Sequence, residues 1–337
     1  MSQAVYHVQV AADALGRLRT SRLLQSVGLA IAITLALSYP TFADPLDEPI
    51  KPLPATLNQD PARAEIGRWL FNDARLSANG SVSCANCHNL RKGGSDERDY
   101  SVGFGGKLTA VHAPTVLNAA FNFRQFWNGR AESLEAQIDD VVQNPVEMGS
   151  KWADIVGKVE RDARYEAAFA NAYKDGVNKA NIENAIATYE RTLITPNSRF
   201  DNYLRGNESA ISEVEKAGYV KFKQFGCIAC HQGVNVGGNM FQKFGVMGDY
   251  FGDRGKLTTA DLGRYLVTGE EGDKYVFKVP SLRNVALIAP YFHDASAKTL
   301  DAAVAVMFKY QLGRVASTED RAAIIKFLNT LTAEIPP

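Results

Sequence analysis

The chain has 337 residues, with 37 Lys+Arg against 37 Asp+Glu, so its formal net charge is zero. A balanced charge excludes a general electrostatic grip on nucleic acid. With 46% hydrophobic and 22% charged residues it reads as globular rather than disordered, and its length suits one large domain or two of ordinary size.

Residues 1–43 read as an export signal. Arg17, Arg19 and Arg22 precede the apolar run 27–37, and Thr41-Phe-Ala43 supplies small residues for cleavage before Asp44. The run is shorter than the roughly 20 residues of a spanning helix. Export places the mature chain in the periplasm, an oxidising compartment. Residues 44–60 are Pro-rich and read as an extended arm. A helix is expected over 62–71. A Gly-, Ser- and Asn-rich loop follows over 80–106. Ile182, Ala185, Ile186, Tyr189 and Leu193 form an amphipathic helical stripe that Pro196 and Asn197 end. A domain boundary is therefore expected near residue 200. A second helix over 211–225 leads to a second Gly-rich loop over 233–255. Late helices are expected over 300–312 and 320–331, the latter capped by Ser317 or Thr318. No strand-like alternation of any length is visible. The fold class expected is mainly α: two cytochrome c-like haem domains, 44–200 and 201–337, with long loops.

All four cysteines lie in two pentapeptides, Cys84-Ala-Asn-Cys87-His88 and Cys227-Ile-Ala-Cys230-His231. Two thiols three residues apart on one turn can add to the two vinyl groups of one haem, and the adjacent His then faces the iron. Zinc sites and redox Cys-x-x-Cys pairs do not require that His, and here it follows both times. Two covalently bound haem c groups are the reading, with His88 and His231 as the proximal ligands of iron one and iron two.

Sixth ligands decide what each haem does. Residues 89–111 contain no His and no Met; Tyr100 and Lys107 are weak candidates. His112 could ligate, but a lone loop His is more often a hydrogen-bonding scaffold residue. The first iron is thus expected to keep an open position. Met307 lies on an expected helix far downstream. By spacing alone it is equally an axial ligand of iron two or a core residue beside Val304 and Phe308.

The chain resembles the bacterial dihaem cytochrome c peroxidases from about residue 45 to its C-terminus. The resemblance rests on Ala113-Pro-Thr-Val-Leu-Asn118, Gln125-Phe-Trp-Asn-Gly-Arg-Ala131, Asn144-Pro-Val-Glu-Met-Gly149, Val279-Pro-Ser-Leu-Arg-Asn284, Pro290-Tyr-Phe-His293 and Met307-x-x-x-Gln-Leu-Gly313. The related group typified by the tryptophan-tryptophylquinone-forming enzyme is the nearest alternative. The resemblance implies a peroxidatic haem one and an electron-transfer haem two, with Met307 as axial ligand where the quinone-forming enzyme has Tyr. It implies that Trp127 lies between the haems, and that Gln137 and Glu147 are distal-pocket residues. Without it these three would pass as a core Trp, a helix-surface Gln and a helix-terminus Glu.

Two departures stand out. Phe104 replaces the distal His of members that need reductive activation, and phenylalanine cannot bind iron. His112 stands where the family usually has an Asn that helps bind calcium alongside carbonyls matching Ile288 and Pro290; a neutral imidazole is a poor calcium ligand. The resemblance therefore implies a periplasmic cytochrome c peroxidase, active without prior reduction. It would take hydrogen peroxide and electrons from a small c-type cytochrome or cupredoxin, as a homodimer. The competing function is a dihaem oxidase acting on a protein or organic substrate.

Overall fold

Asp60 starts the first helix. Its carboxylate accepts from the Ala62 and Arg63 amides, and Pro61 sits in the first turn, where a missing N–H leaves nothing unsatisfied. The helix runs Pro61–Phe71 in a computed structural model that describes residues 48–336. The expected signal segment lies outside the described residues. Pro61–Phe71 crosses the helix Lys179–Thr192, which Asn178 caps through the Asn181 amide. The crossing is so close that a Cβ on Gly67 would lie 1.9 Å from the Ala185 carbonyl oxygen. The stripe Ile182, Ala185, Ile186, Tyr189 and Leu193 is buried, as its period requires. The helix stops at Thr192, short of Pro196. The chain turns there, and the Thr195 amide donates to Asn118 Oδ1 at 2.9 Å.

The second half repeats this arrangement. Ser212 and Glu215 form a capping box for Glu213–Gln224, and the Ser317 hydroxyl accepts from the Asp320 amide at the start of Thr318–Asn329. These two helices also cross at a glycine: a Cβ on Gly218 would lie 2.1 Å from the Ala323 carbonyl oxygen. One hydrophobic core gathers residues between Ile66 and Leu193, and another gathers Ile50 with residues between Phe200 and Leu331. The extended arm is fastened to the second core, with Ile50 bridged to Gly233 and the Leu53 amide donating to buried Asp201.

Two expectations needed adjustment. The helix expected over 300–312 is α-helical only for Leu300–Val306 and continues as a wider π-turn over Met307–Gln311, a feature side-chain periodicity does not register. One small antiparallel ladder, Phe241–Lys243 with Val276–Lys278, was not expected, because three-residue strands carry too little alternation to read. Among the described residues no helix is long and apolar enough to cross a membrane.

Below the helices, two loops share a backbone plan. Asn118 and Asn284 both take left-handed backbone before a short 3-10 turn, and the side-chain amides of both donate to Thr195 Oγ1 at 2.8 Å. Each loop then reaches a tight turn closed by a bridge, Gln125 to Ala131 and Tyr291 to Ala297, with Phe126 and Phe292 at positive φ. At equal spacing, Trp127 in the first loop corresponds to His293 in the second, and His112 corresponds to Lys278.

Candidate functional site

Each Cys-x-x-Cys-His segment is wound so that both thiols share one turn. The His88 amide donates to the Cys84 carbonyl at 2.9 Å, and the His231 amide donates to the Cys227 carbonyl at 3.0 Å. All four cysteines are unpaired. Burial pushes the Cys84 thiol up and the Cys227 thiol up to about 11, so both are protonated. The two segments border different cavities. One, of about 600 Å³, is lined by Cys84, Cys87, His88, Gln137, Glu147 and Glu190. The other, of about 370 Å³, is lined by Cys227, Cys230, His231, Lys278, His293 and Met307. The cysteines therefore do not converge on a single tetrahedral point, which removes a shared four-cysteine zinc site.

The two imidazoles are oriented alike. His88 Nδ1 lies 3.2 Å from the Gly94 carbonyl, and His231 Nδ1 lies 3.3 Å from the Val236 carbonyl. A carbonyl only accepts, so Nδ1 carries the proton and Nε2 keeps a lone pair for a metal. Burial lowers both basicities, His231 to about 4, so both rings are neutral. Paired thiols, a neutral tautomer-fixed imidazole and a predominantly apolar cavity fit a haem at each place.

Trp127 lines both cavities, as does His112. The Trp127 indole N–H donates to the His112 carbonyl at 2.8 Å, and the His112 amide donates to the His293 carbonyl at 2.8 Å. His112 itself is buried, with Nδ1 3.1 Å from the Arg98 carbonyl. Its contacts are those of a scaffold residue.

Glu147 and Gln137 both line the first cavity, Gln137 from the helix Leu134–Gln143. Burial pushes the Glu147 carboxyl up to about 7, against the opposing pull of Arg130, and its Oε2 is buried without a hydrogen-bond partner. Such a carboxyl can take or give a proton near neutrality. Arg130 is held by Asp140 through contacts of 3.0 and 2.8 Å.

Neither Tyr100 nor Lys107 lines the first cavity. The Tyr100 hydroxyl donates to the Asp294 carbonyl at 3.4 Å and Lys107 to the Pro145 carbonyl at 3.0 Å. Phe104 is also outside that lining. Its amide donates to the Glu147 carbonyl at 2.7 Å, and its ring covers Gly149. Met307 borders the same cavity as His231, at the first residue of the π-turn, as do Ile288 and Pro290. Among the described residues, one cluster of potential metal ligands exists, Asp261, His293 and Asp294. Arg254 already pairs with both carboxylates, Asp261 at 2.6 Å and Asp294, while His293 Nε2 lies 2.7 Å from Asp261.

Two cavity residues escaped sequence reasoning. Glu190 on the helix Lys179–Thr192 is buried, lines the first cavity and has its carboxyl pushed up to about 8 by desolvation. Lys278 is buried at the second. A charged residue inside an apolar stretch was the available signal for Lys278, between Phe277 and Val279. Glu190 had only its place beside the stripe.

A profile of the di-haem cytochrome c peroxidase family matches residues 61–209. The chain is 45% identical over 292 residues to cytochrome c peroxidase Ccp of Escherichia coli, covering 86% of this chain but only 62% of that protein's length. It is 42% identical to cytochrome c551 peroxidase of Nitrosomonas europaea, covering 86% of both chains. Its fold is similar to the crystal structure of a MauG-like protein associated with microbial copper homeostasis, at TM-score 0.73 and 28% identity, over 87% of this chain and 95% of that one.

Proposed function

This chain belongs to the di-haem cytochrome c peroxidase family, a family of oxidoreductases, and we propose that it reduces hydrogen peroxide to water with electrons from a small redox protein. The balance is one peroxide, two electrons and two protons to two waters, with two donor molecules each losing one electron. The donor class proposed is a c-type cytochrome or cupredoxin, the compartment the periplasm, and the assembly a homodimer. The two hydrophobic cores support a division near residue 200 into two haem domains.

Bound haem supplies the iron at which peroxide is reduced and the redox centre that stores an electron. The chain's residues do the rest. Cys84 and Cys87, and Cys227 and Cys230, would tether the two groups as thioethers, and His88 and His231 would offer Nε2 to the irons. Met307, bordering the same cavity as His231, would offer that group a soft sulfur donor, which favours electron storage. Glu147 moves a proton from one peroxide oxygen to the other, and Gln137 orients the peroxide. Trp127, bordering both cavities, shortens the path between them. Phe104 stands where the members that need reductive activation carry a distal His, and a phenylalanine cannot bind iron, which supports activity without prior reduction.

The observation that carries the proposal is the Glu147 carboxyl, with its Oε2 buried and unpartnered, in the cavity that Cys84, Cys87 and His88 border. The test mixes fully oxidised haem-loaded protein with hydrogen peroxide and a reduced small c-type cytochrome. Immediate oxidation of the cytochrome is expected. A requirement for prior reduction, or a ferric EPR spectrum with two low-spin haems and no high-spin signal, would remove the constitutively available first site. Peroxide-independent oxidation of an organic or protein substrate would favour the oxidase reading.

A further inference from the structure

We propose that Lys278 binds a carboxylate of the haem in the second cavity and fixes that haem against the Trp127 segment. This rests on the haem-binding reading above.

Lys278 is only 8% exposed, and among the described residues no charged or hydrogen-bonding group acts on its amine. That is unusual for a buried cation, which ordinarily carries a partner. The nearby contrast is Arg283, fully buried but paired with Asp201 at 2.9 Å. Desolvation alone pulls the Lys278 amine down to about 8. A chain that buries an ammonium without an internal counter-ion has reserved it for an anion from outside.

The cavity says which anion. Lys278 lines the second cavity and not the first, and among the described residues it is the one Lys or Arg bordering the second, where no Asp or Glu is found. A haem brings two carboxylates into that apolar lining, and Lys278 is the cation there to meet one of them. Its backbone cannot drift. Lys278 pairs with Phe241 in the ladder, and its amide donates to the Trp127 carbonyl at 2.8 Å. The same residue thus ties the second haem's edge to the main chain of the Trp that borders both cavities. The corresponding position in the first half is His112, which has its own backbone partners, so the cation serves one site only.

The test compares Lys278→Gln and Lys278→Arg with the wild-type holoenzyme, counting covalent haem per chain and titrating the reduction potential of each haem spectroscopically. Lys278→Gln is expected to lower the potential of haem two, because an uncompensated carboxylate stabilises the oxidised iron. Lys278→Arg is expected to restore it, with haem one unmoved in both. The proposal is overturned by an unchanged haem-two potential in Lys278→Gln, by equal shifts in both variants, or by a shift confined to haem one. It is also overturned by a spectrum showing the amine as an iron ligand. A crystal structure of the wild-type holoenzyme decides independently of variant folding: Lys278 Nζ beyond hydrogen-bonding distance of both haem-two carboxylates refutes the contact. A wild-type chain that acquires no haem would instead sink the functional reading itself.

Discussion

The two halves of the molecule use one plan and diverge where the chemistry sits. Each has a helix pair crossing at a glycine, Gly67 over Ala185 and Gly218 over Ala323. Each fixes its His Nδ1 on a backbone carbonyl and sets a left-handed Asn on Thr195. The cavities differ. The first is bordered by two carboxyls with raised pKa, Glu147 and Glu190. The second has no acidic residue in its lining but carries Met307 and Lys278. Proton-handling groups thus gather at one site, and a soft donor with an unpaired cation gathers at the other. On the proposed reading, one shared backbone plan thus separates proton transfer from electron storage through the side chains that face each cavity.

The largest test of that contrast is Glu147→Gln. It should slow the reaction with peroxide by roughly 10²–10⁴-fold, as for loss of a general acid/base, while leaving the haem-two spectrum unchanged. Stopped-flow mixing of oxidised protein with peroxide reads this, and unchanged kinetics would end the assignment of Glu147.

Glu190 gives the next effect, on stability. Its folded carboxyl is pushed up to about 8 from 4.5, so folding favours the protonated form. That contribution is complete below the unfolded value and disappears as pH rises through about 8, a loss of no more than about 5 kcal/mol. Glu147 acts with the same sign toward its value of about 7. Urea unfolding of the holoprotein should therefore show stability falling from about pH 5 to pH 8, with a shallower fall in Glu190→Gln. Equal slopes in the two proteins would show that Glu190 is not the titrating group.

The shared plan can be challenged at its crossings. Gly67→Ala and Gly218→Ala should each destabilise by about 1–3 kcal/mol, since the added Cβ overlaps a backbone carbonyl. Thermal unfolding measures the loss, and the proportion of each haem retained shows which half loosens. If Gly67→Ala loosens only the second haem, the halves are not independent in the way their cores suggest. The smallest change is Ser317→Ala, which removes the cap of Thr318–Asn329 and should cost about 1 kcal/mol with no change in either haem spectrum.

Much of the molecule was legible in the sequence because it is local. Cys84 to His88 and Cys227 to His231 are each one turn of chain, so spacing alone states their chemistry. The stripe from Ile182 to Leu193 declares its helix, and Ser317 or Thr318 declares a cap, of which the structure uses Ser317. The wider turn at Met307 and the three-residue strands were not legible, because neither leaves a periodic trace. Glu147 and Gln137 had meaning in the sequence only through family resemblance, and Met307 was by spacing alone equally a ligand or a core residue. Their types and spacings fit a helix surface or a core equally well.

What the tertiary structure alone decided is convergence. Trp127 and Lys278 meet where a backbone hydrogen bond joins a loop to a distant strand, and His112 meets His293 through another backbone hydrogen bond. Glu190 faces a cavity because the Gly67 crossing sets how its helix lies. Residue type and spacing fix what a side chain can do within one turn or strand. Whether a buried Glu or Lys has a partner depends on groups tens or hundreds of residues away, and only the packed chain brings those into reach.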